Sequence, residues 1–267
     1  MKFYFAGGLL GNNWVTMLKK SNVQRGLMSF YDLTGDSPYT RTQKLEELSY
    51  WKNKDLFLDS GAYSAFNSGV KISIDEYINF INENEIEVYS NLDVIGDEKK
   101  TLLNQVYMEE MGCSPIPCFH IGENFKQFHD YLNRYSYVSL GLAKTQGSKQ
   151  GENFLNQCFQ IIKKYFPVKI HGFGISSQRY LERYPFYSVD STSAIMGGGL
   201  GRVNYWDKGK LKSGAYRKKQ IGERLFNCVD NGSTQHLNRR INNIIAFQKL
   251  EKYITSLWEK RGVKWDE

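Results

Sequence analysis

No run of about 18 apolar residues occurs anywhere in this 267-residue chain, which excludes a helical membrane span. The opening MKFYFAGGLLGNNW carries one lysine and a short apolar run before Asn12 and Asn13. No signal-peptide core or cleavage pattern follows, so the expected compartment is the cytoplasm. The four cysteines, Cys113, Cys118, Cys158 and Cys228, are widely scattered, which excludes a disulfide framework and fits reduced thiols. No solenoid-type repeat and no long linker divides the chain, so one domain spanning residues 1–267 is expected.

Aromatic residues make up 15% of the chain, which argues against disorder, and a net charge of +7 suits a polyanionic partner. Short β-type runs alternate with helical patterns up to about residue 190. The runs are KFYFAG (2–7), LMSFYD (27–32), DLFLDS (55–60), EVYSNLD (87–93), PIPCFH (115–120), YVSLGL (137–142), VKIHGF (168–173) and PFYSVD (185–190). Between them lie segments of 3.6-residue period, such as 72–82 with Ser73 as N-cap. Eight such alternations predict a (β/α)8 TIM-type barrel, ahead of a doubly wound sheet. Residues 239–260 form the closing helix, after a basic, aromatic insertion at about 195–235.

In a barrel the chemistry gathers where the strands end, because loops there vary over a rigid core. The run ends supply Asp32, Asp59, Asp93, His120, the Gly141–Ala143 segment, His171 and Asp190. Each acid alone reads as a cap or turn residue; together they predict a site. Asp59 opens DSGAYSAF, in which Ser60 and Gly61 make a tight turn and Tyr63 and Phe66 offer aromatic faces. Asp190 stands in FYSVDSTSA, followed by the Gly197–Gly201 cluster and then the basic stretch.

DSGAYSAF is similar to the Asp-Ser-Gly-Gly-Phe-Gln segment of the tRNA-guanine transglycosylases. LGLA (140–143) resembles that family's Gly-Gly-Leu-Ala base-binding turn, HGFGIS (171–176) its following strand, and SVDST (188–192) the segment carrying its nucleophilic aspartate. NLDVIGD (91–97) takes the place of the aspartate that reads the base edge. The ordered set covers roughly residues 55 to 195. The cysteine-rich zinc site of the tRNA enzymes has no counterpart here, and the chain is shorter. It therefore looks more like the phage-type DNA 7-deazaguanine transglycosylases, the DpdA-like proteins, which would work in a host cytoplasm.

The resemblance implies that Asp190 attacks C1′ of the nucleoside and that Asp59 protonates departing guanine, then deprotonates an incoming 7-deazaguanine such as preQ0. It implies that Asp93 and the backbone of Gly141, Leu142 and Ala143 hold the base edge, while Tyr63 or Phe66 stacks on the ring. His120 and His171 are further candidates for ligand contact. Arg202, Lys208, Lys210, Lys212, Arg217, Lys218, Lys219 and Arg224, interleaved with Tyr205, Trp206 and Tyr216, read as a DNA-contacting surface. Cys113, Cys118 and His120 form a C-x4-C-x-H cluster, but no second pair completes four ligands, so no metal or cofactor is expected. tRNA is the alternative substrate. A non-catalytic nucleic-acid-binding subunit and a small-sugar barrel enzyme are the alternatives of other classes.

Overall fold

The computed structural model describes residues 1–7, 13–34, 41–142, 145, 147–215 and 235–265. Eight parallel strands form one curled sheet: β1 (Lys2–Ala6), β2 (Arg25–Ser29), β3 (Asp55–Asp59), β4 (Val88–Tyr89), β5 (Cys118–His120), β6 (Tyr137–Gly141), β7 (Lys169–Gly172) and β8 (Ser188–Ser191). Their order is β4-β3-β2-β1-β8-β7-β6-β5. The two ends of that series also meet. Ser90 bridges Ile116 in parallel, Ile116 donates to the Tyr89 carbonyl, and Asn91 donates to the Ile116 carbonyl. The sheet is a (β/α)8 TIM-type barrel.

Alternation along each strand divides the apolar residues into two cores. Phe3, Phe5, Leu58, Phe119, Val138, Leu140, Ile170 and Val189 face outward and pack under the helices. Tyr4, Ala6, Leu27, Phe57 and Ile116 form a separate cluster inside the barrel. The helices are α1 (Trp14–Lys20), α2 (Arg41–Trp51), α3 (Ala62–Ser68), α4 (Ile74–Glu83), α5 (Glu98–Glu110), α6 (Phe125–Arg134), α7 (Lys149–Ile162), α8 (Gln178–Arg183), α9 (Ser193–Gly199) and α10 (Gln235–Lys260). Ser73 caps α4 as expected, its hydroxyl accepting from the Glu76 N–H. At the N-terminal end of the barrel Asp55 gathers Lys2, Arg25 and the Tyr4 hydroxyl, and Arg25 reaches Glu251 on α10.

One expectation needs correction. The run LMSFYD does not end in a strand Asp: β2 stops at Ser29, and Asp32 lies in a 3-10 turn, Tyr31–Leu33. The described part of the insertion comprises α9 and an antiparallel hairpin of β9 (Arg202–Asp207) and β10 (Lys210–Ala215). Lys208 and Gly209 both have positive φ, +45° and +81°, so Asp-Lys-Gly-Lys makes the two-residue turn that matches strand twist. Trp206 packs on Tyr253 of α10, and Gln178 of α8 bonds both Gly209 and Leu211, which holds the hairpin on the flank between these helices.

Candidate active site

Asp190, second from the end of β8, points into the barrel because Val189 points out. Its Oδ1 accepts from the Gly174 N–H at 2.7 Å and faces His171 Nε2 at 3.3 Å. Among the described residues, both hydrogen bonds on this carboxylate fall on Oδ1. His171 is fully buried, sandwiched among Phe57, Phe173 and Tyr4, and its Nδ1 lies 2.6 Å from Ser188 Oγ. Ser188 Oγ in turn meets the Tyr137 hydroxyl. A neutral imidazole that donates from Nε2 accepts at Nδ1, so the column Tyr137, Ser188, His171, Asp190 can run as one directed hydrogen-bond chain. His171 stands behind the carboxylate, not at the open mouth.

Asp59 closes β3, two residues beyond the interior Phe57. Its Oδ2 accepts from Gly61 N–H at 3.2 Å and its Oδ1 from Ser90 Oγ at 3.3 Å. Burial, followed by the charges of Asp190 and then Asp93, pushes its carboxyl up to about 7, outweighing those two donors. The charges of Asp190 and Asp93 thus act on the Asp59 carboxyl. Gly61 has φ +75°, and a Cβ there would meet Ser29 Oγ at 2.3 Å, so the turn beside Asp59 requires glycine. Asp32, on the neighbouring turn, is pushed up to about 6 by burial, with Lys44 opposing.

Asp93 arrives on the loop after β4 and meets β5 across the closure of the ring. Its Oδ2 lies 3.3 Å from His120 Nε2, and its buried Oδ1 has no hydrogen-bond partner among the described residues. His120 Nδ1 faces Glu123 Oε1 at 3.1 Å, while Glu123 Oε2 accepts the His120 N–H at 2.8 Å. Against the opposing effect of burial, the neighbouring Cys118 and Asp93 raise the His120 imidazole well above its ordinary range. Cys118, two residues before His120, shares the inward face, and burial pushes its thiol up. Gly141 closes β6 directly against this group. A Cβ there would lie 2.5 Å from His120 Cδ2 and 3.4 Å from Cys118 Sγ.

No protein-family model matches the chain, and no curated protein does either.

The rim thus unites Asp59, Asp93, Asp190, His120 and Gly141. Leu142 is buried, with its side chain in the outer core. Tyr63 and Phe66 lie exposed on α3, just beyond the Asp59 turn, and three residues apart they share one helix face. Arg202, Lys208, Lys210 and Lys212 are exposed on the flanking hairpin, Lys212 paired with Asp207. Ala143, Arg217, Lys218, Lys219 and Arg224 lie outside the described residues. Sequence reasoning missed Ser90, Glu123, Ser188 and Tyr137. The signal for Tyr137 and Ser188 is polarity at positions whose strand neighbours Val138 and Val189 face outward. For Glu123 it is an acid three residues after a strand-end His. A cavity of about 670 Å³ lined by Phe159, Lys163, Phe166, Arg183 and Trp258 opens at the opposite end of the barrel and holds none of the rim acids.

Proposed function

We propose that this protein is a transglycosylase that exchanges guanine in DNA for a free 7-deazaguanine base of the preQ0 type, by double displacement. The observation that carries the reading is the coupled acid pair. Asp190 is held through Oδ1 by Gly174 and His171, and the Asp59 carboxyl is pushed up to about 7 by burial first and then by the charges of Asp190 and Asp93. One carboxylate fixed in place and one able to carry a proton at neutral pH is the division of labour that exchange at an anomeric carbon requires.

In the first displacement Asp190 attacks C1′, the C1′–N9 bond breaks, and a glycosyl ester forms. The bonding pair leaves with guanine, and the Asp59 proton offsets the charge developing on it. In the second, Asp59 takes a proton from the incoming deazaguanine, whose nitrogen attacks C1′ and releases Asp190. Bonds broken and formed balance, so the exchange consumes no energy source. The base edge falls to Asp93 and the backbone of Gly141 and Leu142, and Tyr63 or Phe66 supplies the stacking face. The exposed hairpin cations Arg202, Lys208 and Lys210 supply phosphate contacts.

The deciding experiment follows radiolabelled guanine and preQ0 into duplex DNA and into tRNA side by side. Incorporation into DNA alone supports the reading. Incorporation into tRNA alone keeps the chemistry and changes the substrate. Absence of label in both, with DNA still bound, overturns the enzyme reading in favour of a binding subunit.

A further inference from the structure

Cys118 and His120 stand two apart on β5, so both side chains enter the barrel, and ring closure brings Asp93 onto them. One ligand atom from each of the three lies within 4.8 Å of the others. Asp93 Oδ2 and His120 Nε2 are 3.3 Å apart, matching the roughly 3.3–3.4 Å that two zinc bonds of about 2.0–2.1 Å subtend at a tetrahedral angle.

Three further features fit a bound cation. Glu123 takes His120 Nδ1, which turns Nε2 toward Asp93 and Cys118; a carboxylate behind an imidazole is the usual support of a histidine ligand. Glu123 is itself held by the His120 N–H. Asp93 Oδ1 is buried without a hydrogen-bond partner among the described residues, a costly state for a carboxylate oxygen unless a donor or cation meets it. Gly141 keeps the adjoining space clear, since a Cβ would lie 3.0 Å from His120 Nε2 as well as against Cys118 Sγ.

We propose that Asp93, Cys118 and His120 form a divalent-metal site on the barrel rim. A thiolate, an imidazole and a carboxylate make a donor set for zinc and its borderline-soft neighbours, whereas magnesium and calcium take oxygen. Three protein ligands leave a fourth position for water or a substrate atom. His120, partly exposed, gives the ion a route from solvent. The inference does not depend on base exchange. It gives Asp93 a different task, since a carboxylate bound to the ion leaves the base edge to the Gly141 and Leu142 backbone.

The test uses the full chain, stripped with chelator and titrated with cobalt(II). The expected result is uptake of about one ion per chain with a thiolate-to-cobalt charge-transfer band, displaced by zinc. Cys118→Ser should abolish the band and Cys113→Ser should leave it. Glu123→Gln, which touches no ligand position, should weaken affinity by about 10–100-fold. Absence of stoichiometric uptake overturns the proposal and leaves the His120 ring held between Asp93 and Glu123. A band that persists in Cys118→Ser overturns it equally. Should Cys118→Ser not fold, absence of the band in the parent protein is sufficient to reject the site.

Discussion

His171 Nε2 stands 3.3 Å from Asp190 Oδ1, and the opposite nitrogen of the same ring stands 2.6 Å from Ser188 Oγ. A fully enclosed imidazole thus links the rim carboxylate to a polar column inside the barrel that continues to Tyr137. Buried polar groups of this kind are costly when one partner is removed. His171 is accordingly a positioning residue for Asp190.

His171→Leu should lower stability by about 2–4 kcal/mol, because Ser188 and Asp190 each lose a buried partner. It should reduce kcat for base exchange with little change in KM for the free base. Urea unfolding and steady-state kinetics read the two effects separately. An unchanged kcat in a folded variant would remove the positioning role.

Asp190→Ala should reduce exchange on the order of a thousandfold or more and abolish any covalent nucleic-acid adduct, while binding persists. Denaturing gel electrophoresis after incubation with oligonucleotide detects the adduct. Retained turnover would sink the assignment of Asp190 as nucleophile.

Asp59 carries a raised carboxyl, near 7 in the folded protein against about 4 when unfolded. The folded chain binds this proton more tightly, so the group's contribution to stability is complete below about pH 4. It is lost as pH rises to about 7. Asp59→Asn should therefore stabilise the protein above pH 7 by about 2–3 kcal/mol, allowing for partial solvent access, and flatten that part of the stability profile. Exchange should fall sharply in the same variant. In the parent protein kcat/KM should decline above about pH 7 as the acid form is depleted. Thermal melts across pH check the first claim and initial rates the second; equal pH profiles in variant and parent would refute the assignment.

Lys208→Ala together with Lys210→Ala should weaken DNA binding across sequences and lower the salt slope by about two phosphate contacts. Fluorescence anisotropy at several salt concentrations measures this. An unchanged slope would leave the hairpin a structural brace on α8 and α10.

Gly26→Ala addresses the fold alone. A Cβ there would lie 2.1 Å from the Trp51 ring, which is buried against β2. Overpacking of this kind should cost about 1–3 kcal/mol or more. A denaturant midpoint equal to the parent's would mean that Trp51 relocates freely.

The eight strands and their order were legible because alternating Val, Ile, Phe and Tyr runs between helical periods leave few other ways to bury so much apolar surface. The strand-end acids were legible for the same reason: a polar residue ending an apolar run must lie at a rim. Asp32 misled because Phe30 and Tyr31 extend the apolar run, yet the backbone turns after Ser29. The hairpin at 202–215 was masked by its charge, although its Lys-Gly turn carried the signal.

By itself the sequence determined the alternation of strands and helices, the inward face of each strand and the acids at strand ends, since all three follow from local period and polarity. Only the tertiary structure decided which of those acids share a field. Asp59 and Asp190 come from strands β3 and β8 and Asp93 from the loop after β4, and ring closure brings them together. The same closure sets Asp93 against Cys118 and His120, and the β7–β8 register sets His171 beside Ser188. Contacts between residues so far apart in the chain depend on strand stagger around the barrel, which no local pattern encodes.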